Sequence, residues 1–232
     1  QEDQAYLSFK LEKTIRSSVN INGAKNYSSS YLEKVIDLDN FYSSNPNIAN
    51  EMANRIKAFY LSKGFARAEV QAQELPGKDF SNSKIQIDID EGPQVRISQI
   101  VFNGGLSKPS EDYAKLLKKY APELNQDGYY SKSDFETSLN TLKVNLQNQG
   151  YLLAKPISTR TQYNKTKDQL SIFVNFEEGP LTELTDVQFT GQKAFSREAL
   201  LAELQLTIGG PLQLNALQAA IQKLKTFYHE QG

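Results

Sequence analysis

The chain has 232 residues, about one and a half average domains, and is 39% apolar and 23% charged, which excludes a disordered tail, a collagen and a mucin-like stalk. Its 26 Lys and Arg against 27 Asp and Glu leave a net charge of −1, with no general pull toward phosphate backbones or anionic lipid. Cysteine is absent, which excludes disulfides, thiolate nucleophiles and cysteine-based metal centres, and no apolar run approaches the roughly 18 residues of a membrane helix.

Residues 1–13 match no recognisable pattern, and their start, QEDQAYLSF, lacks the basic and apolar segments of a signal peptide; an exported protein would already have lost it. The first predicted element is a half-buried strand, Val19-Asn20-Ile21-Asn22-Gly23. A short helix follows, with Ser30 three before Glu33 in capping-box spacing and Tyr31, Leu32, Val35 and Ile36 as its apolar face. Asn45-Pro46 predicts the start of a longer helix, in which Ile48, Met52, Ile56 and Tyr60 recur every fourth residue until Gly64 ends it. Two strands joined by a polar turn complete the unit. The second, Ile85 to Ile89, alternates cleanly and reads as the central strand, ending in Glu91-Gly92-Pro93.

The same order then recurs. Opening strands recur as Ile100-Val101-Phe102-Asn103-Gly104 and Val187-Gln188-Phe189-Thr190-Gly191, and helix-ending glycines follow their final glycines, and Gly23, at 64, 150 and 232, at separations of 41, 46 and 41. Gly-Pro pairs close the last strands at 92–93 and 179–180, 28 and 29 residues past the helix-ending glycine, and each Pro lies 11 residues before the next strand-ending Gly. The second copy offers Phe135, Leu139, Leu142 and Leu146 on its long helix and Ile172, Val174 and Phe176 on its last strand; the third offers Leu217, Ile221, Leu224 and Tyr228. Ser110 and Ser196 are the candidate caps of their short helices. The units are 14–93, 94–180 and 181–232, the last stopping before its hairpin. That predicts a longer natural polypeptide and, in this chain, under-covered apolar surface on 181–232.

Each unit is thus β-α-α-β-β, an α+β design with a three-stranded mixed sheet covered on one face by two helices. This order, with its glycines and Gly-Pro exits, resembles tandem POTRA (polypeptide-transport-associated) repeats of the outer-membrane protein assembly factor family. LNQDGYYSKSDFETSLNTLKVNLQNQGY at 124–151 looks most like a translocation-and-assembly-module (TamA-type) subunit, with the general (BamA-type) factor as the near alternative. The resemblance implies a periplasmic location in a Gram-negative bacterium, ahead of an outer-membrane β-barrel that this chain lacks. It implies as partners unfolded outer-membrane β-barrel precursors and periplasmic or inner-membrane-anchored assembly proteins. A two-partner secretion transporter and a division-type POTRA scaffold are the alternatives; the third repeat counts against the former and the missing membrane helix against the latter.

No constellation supports catalysis, and the expectation is a non-enzymatic protein without cofactor or metal. Asp88 and Asp90 alternate onto the solvent face, and Glu91 and the pair Glu177-Glu178 are read as the same solvated face. His229 has no second His or Cys with which to hold a metal. Gly104-Gly105 and Gly209-Gly210 fit no phosphate loop. No unit departs from neutrality by more than two charges, so nucleic acid is not an expected partner. What remains is backbone chemistry. A three-stranded sheet has two edges with unpaired N–H and C=O groups, and an edge accepts an extended guest with little demand on its sequence. The expected docking edges are the strands after the helix-ending glycines, carried by Arg67, Glu69, Val70, Gln71 and Gln73 and by Ile157, Thr159 and Thr161. Gly92, Pro93, Gly179 and Pro180 are the expected inter-domain hinges, short and stiffened by proline, giving preferred bends.

Overall fold

A computed structural model describes residues 18–37, 47–75, 84–120 and 128–230. The chain divides into two compact units, Gln1–Val95 and Arg96–Gly232.

In the first unit, β1 (Ser18–Asn22) leads to α1 (Ser29–Ile36), α2 (Ile48–Ser62), β2 (Glu69–Leu75) and β3 (Lys84–Asp90). The sheet order is β1-β3-β2, with β1 parallel and β2 antiparallel to the central β3. Alternation dictates this placement. Ile85, Ile87 and Ile89 all point into the core, where they meet Leu32 and Ile36 of α1 and Met52, Ile56 and Tyr60 of α2. Each such side chain contributes about 1.5–3 kcal/mol by leaving water. Ser28, not Ser30, caps α1, its hydroxyl accepting from the Tyr31 N–H at 3.3 Å; three consecutive serines make the choice invisible to spacing alone. The predicted start of α2 at Asn45-Pro46 lies outside the described residues, and Asn47 stands at the N-terminus of the helix. Gly64 ends it at φ +85°, with the Phe65 N–H reaching back to the Tyr60 carbonyl at 3.0 Å.

The second unit repeats the plan with β4 (Arg96–Asn103), α3 (Ser110–Lys119), α4 (Lys132–Asn148), β5 (Lys155–Tyr163) and β6 (Gln169–Glu177), in the sheet order β4-β6-β5. β6 is parallel to β4 and antiparallel to β5, and Leu170, Ile172, Val174 and Phe176 face the core. Gly150 closes α4 at φ +99°, with the Tyr151 N–H on the Leu146 carbonyl at 3.1 Å. Pro109, not Ser110, precedes α3; the Ser110 hydroxyl instead accepts from the Phe102 N–H at 2.8 Å and ties the helix to the end of β4.

The same unit continues through α5 (Arg197–Leu204), capped by Ser196 as expected, and α6 (Leu214–Glu230). The opening strand expected at 187–191 carries no strand pairing. A strand is defined by its neighbour, and the counterparts β1 and β4 are strands because β3 and β6 lie beside them.

Candidate functional site: open strand edges and a buried glutamate

In each sheet the central strand is paired on both sides, so β1, β2, β4 and β5 each turn one row of backbone groups away from the sheet. Glu69, Val70, Gln71 and Gln73 lie on β2 as expected, in unbroken register from Glu69 opposite Asp90 to Leu75 opposite Lys84. Arg67 does not; it is exposed in the turn before the strand, because the chain needs Ala66 to Ala68 to leave the helix-ending glycine. Thr159 and Thr161 lie exposed on β5. Ile157 sits at an irregularity where the register slips between Pro156 and Ser158, and it is 50% exposed. Pro156 has no N–H and a bulge bends the strand, so the regular part of this edge runs from Ser158 to Tyr163. The edges therefore differ: β2 is regular over seven residues, whereas β5 is blunted at its start.

Asp88 and Asp90 are exposed, as alternation requires, and the Asp88 carboxylate accepts from the side chains of Asn22 (3.1 Å) and Gln86 (3.0 Å). Those contacts hold it below the usual carboxylate range. Glu91 and Glu178 overturn the solvated-face reading: they are 4% and 1% exposed. Glu91 ends the same parity as Ile85, Ile87 and Ile89, so the pleat aims it inward. There its carboxylate accepts from the N–H groups of Lys25 (2.8 Å) and Asn26 (3.0 Å), the Asn26 side chain (2.6 Å) and the Tyr60 hydroxyl (2.7 Å). Burial alone would push this carboxyl up; the Asn26 N–H, the Tyr60 hydroxyl and the Lys25 N–H more than offset it and hold it low. Glu178 does the equivalent for the second sheet, accepting from the Ser107 N–H at 2.8 Å. The Tyr113 hydroxyl stands beside it, and burial first, then Glu178, pushes that phenol up while Ser107 opposes. Each glutamate thus fastens the loop after the parallel edge strand to the end of the central strand. The alternation that placed the isoleucines could have found them, had it been followed two residues further.

Strand-ending glycines belong to this arrangement. A Cβ on Gly23 (φ +83°) would fall inside contact distance of the Ile89 carbonyl oxygen, and one on Gly104 (φ +112°) of the Phe176 carbonyl oxygen. The Gly-Pro exits are followed by a repeated contact: the Val95 N–H donates to Gly64 O at 2.8 Å, and the Thr182 N–H to Gly150 O at 2.9 Å. Within the second unit, the Leu212 N–H also donates to Thr182 O at 2.8 Å, so the segment after Pro180 is held on both sides. Among the described residues no group of three or more His, Cys, Asp or Glu is placed to hold a metal ion, and no helix is long and apolar enough to cross a membrane.

Two helices over a three-stranded mixed sheet, entered through a parallel edge strand and left through Gly-Pro, define a class of small α+β repeat. A sequence profile described as "POTRA: Surface antigen variable number repeat" matches residues 14–92, 95–179 and 182–232, and the chain belongs to that family. A crystal structure of Haemophilus influenzae BamA POTRA3-5 has the same fold, with a TM-score of 0.54 at 19% identity, covering 92% of this chain and 85% of that one. Outer membrane protein assembly factor BamA of Buchnera aphidicola is 25% identical over 200 residues, 83% of this chain. A protein of Treponema pallidum, named as a candidate outer membrane protein assembly factor, is 21% identical over 241 residues, 99% of this chain. The chain spans 28% of the Treponema relative and 32% of the Buchnera one.

Proposed function

We propose that this chain is the periplasmic POTRA region of an outer-membrane protein assembly factor, a non-enzymatic scaffold that docks extended segments of unfolded β-barrel precursors by strand addition. The supporting observation is the pair of outer strands β2 and β5, each hydrogen-bonded to the sheet on one side only. Main-chain bonds along such an edge supply affinity without reading the guest's sequence, which suits a handler of many different clients. The unbroken register of β2 supports taking Glu69, Val70, Gln71 and Gln73 as the principal dock, with Thr159 and Thr161 on β5 as the second. Gly92, Pro93, Gly179 and Pro180 act as joints with preferred bends, and inner-membrane-anchored or periplasmic assembly proteins are the further partners.

Because the chain has no cysteine, any introduced thiol is unique. Gln71→Cys and Thr159→Cys should form mixed disulfides with cysteine-bearing peptides from transmembrane barrel strands. Asp88→Cys, on the open face of the central strand, serves as the control. Equal capture at all three positions would contradict edge docking.

A further inference from the structure

The two sheets turn unlike open faces to water. On the first, Asn20 and Gln86 lie opposite one another on β1 and β3, with Gln73 beside them on β2, and the row is wholly polar. The same places on the second sheet, counted back from Gly104 and Gly179, hold Val101 and Phe173, with Arg160 beside them on β5. The pleat points this pair away from the helices, yet both residues are apolar and only half-buried. An apolar pair kept on the wet face of one repeat and absent from its sister is not demanded by the shared fold.

The next row toward the β5–β6 turn is Gln99, Ser171 and Gln162, in register across the three strands. With Asn164, Gln169 and Phe173 they line a shallow pocket of about 250 Å³, and no side chain around it is charged. The Gln99 amide donates to the Ser171 hydroxyl at 3.2 Å, which leaves its carbonyl oxygen unused. The side-chain amides of Gln162 and Gln169 have no partner among the described residues. Two charged neighbours are engaged elsewhere. The Arg160 guanidinium lies 4.7 Å from the centre of the Phe173 ring, and Asp168 accepts from the Asn164 amide at 2.6 Å and from the Thr166 hydroxyl.

We propose that this face of the second sheet is a saccharide site, which takes one pyranose ring of a neutral, equatorially linked sugar chain. Such a ring has an apolar C–H face and a rim of hydroxyls. Phe173, with Val101 beside it, offers a surface to the face. The amides of Gln99, Gln162 and Gln169 each carry donors and an acceptor, so they meet a hydroxyl in either sense. An uncharged lining suits a polyol rather than an ion, and equatorial linkage keeps the chain as flat as the sheet. The volume falls below the roughly 300–1,000 Å³ of drug-sized sites, which fits one ring of a chain rather than a whole ligand. The site lies on the face of the sheet, whereas strand addition uses its rim, so this inference does not rest on the docking of clients.

The probe is tri-N-acetylchitotriose, added to the isotope-labelled 232-residue chain and followed by side-chain amide and aromatic signals. Binding in the millimolar range of a one-ring contact should shift Gln99, Gln162, Gln169 and Phe173 together and leave Gln73 and Gln86 of the first sheet unmoved. Phe173→Gln, which installs the first repeat's residue, should weaken binding about tenfold, and Gln162→Ala by a smaller factor. Both positions face solvent, and unchanged amide exchange in β6 verifies that each variant is folded. Absence of shifts, shifts spread equally over both sheets, or full affinity in folded Phe173→Gln overturns the proposal. So does an unfolded barrel-strand peptide that moves these signals where the sugar does not, which would make a polypeptide the occupant.

Discussion

Replacing Glu91 with alanine removes an acceptor that serves four donors at once. A hydrogen bond to a charged group contributes about 1.5–3 kcal/mol, but three of these donors belong to Lys25 and Asn26, which are exposed and regain water when the carboxylate is gone. The Tyr60 hydroxyl does not, because that side chain is wholly buried. The expected loss is therefore about 3 kcal/mol for the first unit, dominated by the orphaned phenol and the freed loop. Because the carboxyl is held below its ordinary value near 4.5, its stabilisation is fully present above that pH and is lost as pH falls through the lower folded value. The gap between wild type and Glu91→Ala should be widest at pH 7 and should narrow toward pH 3. Urea unfolding of the intact chain followed by tyrosine fluorescence measures the gap, and hydrogen exchange localises it to residues 18–37. A loss below about 1 kcal/mol, or a gap that does not change with pH, would refute the reasoning.

Gly23→Ala combines a left-handed backbone with collision against the Ile89 carbonyl and should cost about 3 kcal/mol or more, whereas Gly191→Ala, at φ +82° in open space, should cost only about 1 kcal/mol. Paired denaturation curves separate the two. Gly150→Ala places a methyl 2.9 Å from both Leu181 Cδ1 and Pro211 Cβ, so the amides of Thr182, Leu184 and Leu212 should exchange at least tenfold faster while β6 keeps its protection. In the unmodified monomeric chain, residues 181–230 should exchange faster than 96–180, since Ile221 is 48% exposed and Leu224 half-buried where Leu142 is fully covered. Equal protection across the two segments would contradict this.

What could be read from residues alone divides by range. The alternation of Ile85, Ile87 and Ile89 and the four-residue stripe Ile48, Met52, Ile56, Tyr60 are local periodicities that survive folding, so the central strand, the long helix and the β-α-α-β-β order were legible. The glutamates were misread because acidity suggests water, whereas the pleat carries Glu91 and Glu178 inward with their apolar neighbours, and only a donor loop 65–71 residues away makes burial tolerable. The cap of α1 was ambiguous among three serines, and Ser110 bonds across to β4 rather than into its own helix. The strand expected at 187–191 failed for a nonlocal reason: its hydrogen bonds belong to a neighbour, and no periodicity within a segment reports whether that neighbour is present. The irregularity at Pro156, which separates the two candidate edges, is likewise a property of the strand pair rather than of either strand.

Residue-resolved amide exchange of the isotope-labelled chain, with and without an unfolded barrel-strand peptide, tests the docking claim most directly. Strand addition predicts that alternate amides of β2 between Glu69 and Leu75, with a smaller set on β5 between Ser158 and Tyr163, become protected while the central strands β3 and β6 do not change. Protection confined to α2 or α4, or binding that leaves both edges exchanging freely, would contradict it.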